Sequence, residues 1–433
     1  MKLYVSRTKE FGGWCIAELL SARQQFAKLR RMVADIGLIA AARRVRASIT
    51  FRLKSARYLT GRGQYETAIA VLERKLSSDP LNLDLHFALG GTHHARGHLA
   101  DAVAAWARGM DAQTELSRRA GLPSHTRYFG TNFTRSIGHT SYFDIIAKQK
   151  LLGLAPAQNY IVLADRTDIG NAAYVNCWSD HFEIVDDPAS IRRHQKISKL
   201  MEEYPTVFSL GGQWRYVHDV AIEVENRWAD AGRGPLLKLS DEQRKRGETA
   251  LEALGIPRGR WFVALHVREG LRTGRRNGSI DDYLPAVRRI TDAGGWVVRI
   301  GDPSMVKLPA LPNVVDYAHG PRMDWLDVYI LAAARFIIGT NSGPAWVSGT
   351  FGVPALLTNW APSAIKSHYR NTIMLPQRLW LNTENRVLAA EEEAAKSLAF
   401  VESTHLLERH NISPVFNSPD QIVAGVDEML RLY

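Results

Sequence analysis

Acidic residues are nearly missing from the start of this chain. Residues 1–62 hold 14 Lys/Arg against 3 Asp/Glu, a difference of +11 that equals the formal net charge of all 433 residues. The rest of the chain therefore sums to zero, and the protein reads as a neutral body with a basic arm. Apolar residues (Leu19, Leu20, Phe26, Leu29, Val33, Ile36, Leu38, Ile39) interleave with Arg30-Arg31, Arg43-Arg44 and Arg46. This predicts an amphipathic helical arm over 1–48. Such an arm suits an anionic membrane surface, where each basic residue adds about 1 kcal/mol. It suits packing on the next segment equally well. No recognition motif accompanies the charge, so nucleic acid is not expected as a partner.

Cysteine is scarce too: Cys15 and Cys177 are the only two, too few for a disulfide framework or a metal-ligand pattern. No window reaches the roughly eighteen uninterrupted apolar residues of a spanning helix. The opening MKLYVSRTKEFGGWC lacks the apolar core of a secretory signal. A cytoplasmic protein, peripheral on an inner membrane if the arm binds lipid, is expected. Several motifs are missing as well. Without G-x-G-x-x-G after a strand, G-x-x-x-x-G-K-[ST] or G-x-S-x-G, a dinucleotide oxidoreductase, a P-loop NTPase and a nucleophile-elbow hydrolase are disfavoured. No D-x-D occurs, so no metal site and no cofactor are expected.

What is present begins with a repeat. Gly63-Gln64-Tyr65 and Gly97-His98-Leu99 stand 34 residues apart, as do Ala68 and Ala102, Leu72 and Trp106, and Leu76 and Met110. Small residues where helices cross, large ones between them and Asp79-Pro80 at the break resemble the tetratricopeptide repeat. Two units, 49–82 and 83–116, make an all-α module over 49–116. It serves either to dock a protein partner or to brace the α/β part of the chain.

Beyond residue 117 strands alternate with helices, which demands parallel sheets. Tyr160–Ala164 and Phe182–Val185 are strands of a first α/β domain, 117–249. Trp261–Val267, Trp296–Ile300, Val314–Asp316, Arg335–Gly339 and Val353–Leu357 are strands of a second, 250–433. The terminal helix from Gln421 is expected to return to the first domain. Sheets of this kind bind ligands past the carboxyl ends of their strands, so the strand ends are the candidate site. His266 and Arg268 share a face at the first. A guanidinium there suits a diphosphate; the alternative is a structural pair with Glu269. Asp302 and Ser304 end the second strand, in a Gly-Asp-Pro turn that is equally ordinary turn chemistry. Asn341, Ser342 and Gly343 open a helix after the fourth, where backbone N–H groups and a hydroxyl suit an anion. In the first domain, Gly138-His139 offers an imidazole as base, and the turn Asp165–Asn171 offers Asp168 as another base and Asn171 as acceptor surface. Arg272, Arg275 and Arg276 either add positive potential or are solvated loop charges.

The order HVREG, RIGDPSM, FIIGTNSGPAWVSGTFGVP, with Arg135, Ile137, Gly138 and His139 upstream, resembles a bacterial family of glycosyltransferases preceded by tetratricopeptide repeats. More distantly, His266, Arg268, Asp302, Pro303, Ser304 and Ser342 resemble the strand ends of GDP-fucose-dependent fucosyltransferases. Gly301 and Gly343 depart from that pattern. SGPAWVSGTFGVP is also similar to heptosyltransferases. The resemblance implies a GT-B fold, two facing Rossmann-like domains, and metal-independent transfer of a hexosyl or deoxyhexosyl group. The donor would be a nucleotide-diphosphate sugar and the acceptor a hydroxyl of a surface glycan, lipid-linked glycan or protein. It assigns Arg268 to the donor diphosphate, with Asp302 and Ser342 lining the nucleotide. The alternative is a non-catalytic repeat scaffold carrying a degenerate nucleotide-sugar domain.

Overall fold

A computed structural model describes residues 49–155, 158–269, 274–396, 398–401 and 404–433. The basic arm 1–48 lies outside the described residues, as does Arg272. The chain divides into two compact units between Pro80 and Leu81. In the first, helices α1 (Ile49–Gly61) and α2 (Tyr65–Leu76) pack together, and α2 buries Ala68, Ile69, Leu72 and Leu76.

The second unit opens with another helix pair, α3 (Leu83–Ala95) and α4 (Leu99–Arg119). The 34-residue spacing recurs in geometry. Gly63 and Gly97 both turn the chain with positive φ, 69° and 85°, and Ala68 and Ala102 are both fully buried. Within the second pair the Trp106 indole lies over Gly90, where an added Cβ would come within 2.3 Å of the ring. The division at Pro80 falls inside 49–116 because α4 shares its core with the first α/β lobe. Ala102, Trp106 and Met110 belong to one cluster with Phe129, Val207 and Tyr216, and Gln113 donates to the Glu202 carbonyl (3.0 Å).

The first sheet is small. β1 (Thr126–Phe129), β2 (Asn159–Leu163) and β3 (Glu183–Val185) run parallel in that order. Between β1 and β2 lie the short helices α5 (Thr131–Thr134) and α6 (Ile137–Thr140) and the buried α7 (Phe143–Leu151); α8 (Ala172–Asn176) precedes β3. The stretch after β3 holds α9 (Pro188–Ser198), an antiparallel hairpin β4 (Val207–Leu210) and β5 (Gln213–Tyr216), and α10 (Val217–Asp230). A full Rossmann-like half is thus reduced to three parallel strands and a separate hairpin. Helix α11 (Asp241–Ala253) starts at a capping box in which Ser240 and Gln243 satisfy each other's backbone N–H.

The second sheet is larger. β6 (Phe262–His266), β7 (Trp296–Arg299), β8 (Val314–Asp316), β9 (Ile337–Gly339), β10 (Ala355–Trp360) and β11 (Thr372–Pro376) are all parallel, in the order β11-β10-β9-β6-β7-β8. Every residue of β6, β9 and β10 is buried, which is why their sequences are continuous apolar runs. Helices α12 (Leu284–Asp292), α13 (Asp324–Ala333) and α14 (Gly343–Thr350) make the crossovers. The chain winds from β6 outward through β7 and β8, then returns to β9 and winds the other way. This is the doubly wound Rossmann order, and its switch point lies between β6 and β9.

A small antiparallel sheet, β13-β12-β14, comes next, from β12 (Arg378–Leu381), β13 (Arg386–Val387) and β14 (Ile412–Val415), with α15 (Ala390–Ala395) and α16 (Thr404–Arg409) between the last two strands. The last helix, α17 (Pro419–Leu432), does not return to the first sheet. Its stripe Ile422, Val426 and Met429 joins the core of Val263 and Val297, and Gly425 lies so close to Leu356 that a Cβ would meet it at 2.9 Å. Among the described residues no helix is long and apolar enough to cross a membrane.

Candidate functional site

The switch point brings together two of the segments singled out from sequence, the end of β6 and the β9–α14 turn. His266 is the last residue of β6, and His266 pairs with Gly339 of β9 in register. The Arg268 backbone N–H donates to Thr340 Oγ1 (3.1 Å), so the two strand ends are stitched side by side. His266 Nδ1 donates to the Ile300 carbonyl (3.2 Å), and Nε2 meets Ser342 Oγ at 2.9 Å. Burial pushes the His266 pKa down to about 4, and the charges of Arg268 and Arg299 push in the same direction against the carbonyl contact. The ring is neutral at physiological pH.

Ser342 is the N-cap residue of α14, yet its side chain makes no capping hydrogen bond. The N–H groups of the first helical turn have no intrahelical partner, and Pro344 contributes none. An uncapped helix start is an anion-binding arrangement, and Arg268 stands two residues beyond the end of the neighbouring strand β6.

Facing it is the turn 136–140 of the first lobe. Gly138 and Gly343 put α6 and α14 in backbone contact. A Cβ added to Gly138 would lie 3.0 Å from Gly343 Cα, and one added to Gly343 would lie 2.6 Å from Ile137 Cγ2 and 2.9 Å from the Gly138 nitrogen. Next along the chain, exposed His139 donates from Nδ1 to the Asn132 carbonyl (2.8 Å). In the neutral ring that contact fixes the tautomer, with the lone pair on Nε2.

The other sequence candidates are engaged in contacts of their own. Asp302 is exposed, accepts the Ser304 N–H (2.9 Å) and lies 3.9 Å from Arg322. Its carboxyl is held below the usual range, chiefly by the Ser304 backbone, and it and Ser304 form an ordinary turn. Glu269 pairs with fully buried Arg299 (3.4 Å) and accepts the Val306 N–H (2.6 Å). Asn341 donates to the Ala361 carbonyl (2.7 Å) from a buried position. Asp168 is clasped by Arg135 Nε (2.8 Å) and Nη2, which lowers its pKa. Asn171 is buried as the N-cap of α8; its amide accepts from the Tyr174 N–H (2.8 Å) and donates to the Asp324 carbonyl (3.0 Å). Arg275 is neither a solvated charge nor turned to the site: it is buried against Gln377 (3.0 Å) and the Val401 carbonyl.

Behind the Gly138–Gly343 contact lies a junction that the sequence did not announce. Trp346 of α14 stacks on His368 (5.1 Å between centroids) and sits 6.1 Å from His218 of α10. Tyr142 Oη lies 3.3 Å from His218 Nε2. Burial, with His94 and His139 adding, pushes the His218 pKa down to about 4. Further across the same junction, Lys148 bridges Asp144 (2.7 Å) and Glu225 (2.6 Å) while lying over the Trp228 and Tyr369 rings. The one signal available was the Asp144/Lys148 pair, four apart on a helix that also carries Phe143, Ile145, Ile146 and Ala147.

No family model and no curated protein matches the chain. Among solved structures it is similar to a glycosyl transferase of family 9 from Veillonella parvula (12% identity, TM-score 0.42, covering 71% of this chain and 97% of that one). It is also similar to the E. coli ADP-heptose LPS heptosyltransferase II (11%, TM-score 0.42, 71% and 98%) and to the E. coli heptosyltransferase WaaC with ADP (11%, TM-score 0.32, 63% and 99%). At these identities and scores no activity is carried across, and the site is read from its own geometry.

Proposed function

We propose that the chain is a glycosyltransferase of GT-B type that moves a sugar from a nucleotide-diphosphate donor to a hydroxyl acceptor. One observation carries the reading. At the switch point of the six-stranded parallel sheet the Arg268 backbone is bonded to Thr340, three residues before the uncapped start of α14, and a second lobe brings His139 in the turn that touches α14. Arg268 and the helix start suit a diphosphate, and a base approaching from the other lobe suits an acceptor hydroxyl.

In this mechanism the acceptor loses its proton to His139 Nε2 as its oxygen attacks the anomeric carbon, and the bond from that carbon to the diphosphate breaks. The charge that develops on the leaving diphosphate is met by Arg268 and by the Gly343 and Ala345 N–H groups. Fixed donors aimed at developing charge are usually the largest catalytic contribution, and no metal is needed for it. A hexosyl or deoxyhexosyl group is the expected cargo. Glycan, lipid-linked and protein acceptors fit the chemistry equally. The basic segment 1–62 would favour an acceptor at an anionic membrane, and the helix pairs would dock a protein partner.

Thermal-shift titration with GDP, UDP, ADP, dTDP and CMP tests the donor site. A ligand at a hundred times its Kd stabilises the native state by about 2.7 kcal/mol, enough for a shift of a few degrees. One nucleotide should raise Tm in the wild type and not in Arg268→Ala. A wild type that responds to none of them would remove the basis for a nucleotide-sugar transferase and leave the non-catalytic scaffold.

A further inference from the structure

The amino ends of β1 and β2 border a cavity separate from the candidate site. The first sheet is parallel, so His139, which follows the carboxyl end of β1, belongs to the opposite end of the sheet. The cavity has a volume of about 600 Å³, within the range of small-molecule sites. Ile146 of α7, Phe208 of β4 and Trp214 of β5 give it apolar walls, and Arg127, Gln149 and Glu203 give it polar ones. Arg127 is buried and donates from Nε to Glu203 Oε1 (2.7 Å), from Nη1 to Gln113 (3.0 Å) and from Nη2 to the Glu202 carbonyl (3.2 Å). A guanidinium has five N–H groups, so two remain. Gln149, 2% exposed, donates from Nε2 to the Ser209 carbonyl (3.2 Å). Glu203 is 5% exposed. Among the described residues nothing donates to Gln149 Oε1 or to Glu203 Oε2. Two acceptors on buried side chains are thus left without a donor on the cavity wall, an arrangement that calls for a partner from outside the chain.

We infer that this cavity binds a small neutral molecule with an apolar ring and a primary carboxamide head. The two N–H groups of such a head match Gln149 Oε1 and Glu203 Oε2, and its carbonyl matches the remaining N–H groups of Arg127. The ring replaces water against Ile146, Phe208 and Trp214, where apolar surface gains from leaving water. A net charge is disfavoured in either sign. A carboxylate would face two oxygens that also only accept. An ammonium would stand beside Arg127, whose charge Glu203 already balances. The site is independent of the transferase reading and goes beyond it.

Fluorine-19 NMR of the full chain labelled with 5-fluorotryptophan tests it, because Trp214 stands in the cavity wall. Its resonance is the one that Trp214→Phe removes. The probes share a ring and differ in the head: benzamide, benzoate and benzylammonium. Benzamide should move the Trp214 resonance saturably at millimolar concentration, and the two charged probes at the same concentration should not. Gln149→Leu removes one acceptor and should weaken benzamide about five- to tenfold, the worth of one hydrogen bond. Ser117→Phe, at a half-buried position of α4 on the cavity wall, fills the space. It should abolish the shift while the other tryptophan resonances stay in place, and it decides the matter if Gln149→Leu does not fold. No saturable shift with benzamide means a cavity that holds only water, and overturns the inference. So does an equal response to benzoate or benzylammonium, or a benzamide shift that Ser117→Phe leaves unchanged. A chain that responds to no nucleotide in thermal shift can still bind benzamide here, so the two readings fail separately.

Discussion

His139 and Asp168 compete for the role of base, and their hydrogen bonds separate them. The Asn132 carbonyl takes the Nδ1 proton of His139 and leaves Nε2 open on an exposed ring. Asp168 is held by two guanidinium nitrogens of Arg135, which lower its pKa and with it its basicity. General-base removal typically costs about 10²- to 10⁴-fold in rate. With the donor identified, His139→Ala should lower kcat by that range and keep the nucleotide-induced Tm shift, while Asp168→Asn should change kcat only a few-fold. Steady-state kinetics on both variants check this, and the opposite ranking would assign the base to Asp168. The same hydrogen-bond logic explains Asn171. Asn before Ala-Ala-Tyr is an N-cap signature, so its structural role was written locally, beneath the reading of its turn as acceptor surface.

At the scale of elements, the close approach of α6 and α14 depends on two glycines. Gly343→Ala would drive a methyl into Ile137 Cγ2 and the Gly138 nitrogen. Backbone cannot yield as a side-chain tip can, so the two turns must part. A loss of about 1–3 kcal/mol, the usual range for overpacking, is expected from urea unfolding, together with loss of the nucleotide-induced Tm shift. An unchanged midpoint would mean that the contact is not tight. Elements of this kind were only partly legible. β6, β7, β9 and β10 could be read because strands covered by helices on both faces become continuous apolar runs. β1 and the β4–β5 hairpin could not, because four-residue strands such as TRYF show no period, although Gly211-Gly212 marks the turn. HVR and TNSGP stood out because they end readable strands. The contacts of Trp346 with His218 and His368 were hidden, since they join segments far apart in sequence and no local pattern encodes them.

At the scale of the second unit, the two lobes share one apolar core, with Val175 and Val220 in the same cluster as Leu326 and Val347, and the charged groups buried at this junction make it sensitive to charge. Lys148, 2% exposed, is kept protonated by Asp144 and Glu225 against the pull of burial. Tyr369 reaches Asp144 from the other lobe (3.5 Å). Lys148→Met would leave two carboxylates facing each other without a cation and should cost about 3–5 kcal/mol, the range for breaking a buried pair, as measured by urea unfolding. A cost below about 1 kcal/mol would show that the carboxylates simply take up protons. His218 gives the junction a pH dependence with a definite sign. Its folded pKa of about 4 lies below the unfolded value of 6.5. Above pH 6.5 neither state is charged, and as pH falls below that only the unfolded chain binds the proton, so stability is lost progressively down to about pH 4. Asp144 and Glu202, whose carboxyls burial raises to about 6 and about 7, act in the opposite sense and mute the overall profile. The contribution of His218 therefore shows in a comparison. Between pH 7 and pH 5 the wild type should lose about 2 kcal/mol more than His218→Phe, from 1.36 kcal/mol per pH unit below 6.5. Equal losses in the two proteins would mean that His218 is reached by water and protons in the native state, and that the lobes part at this junction without unfolding.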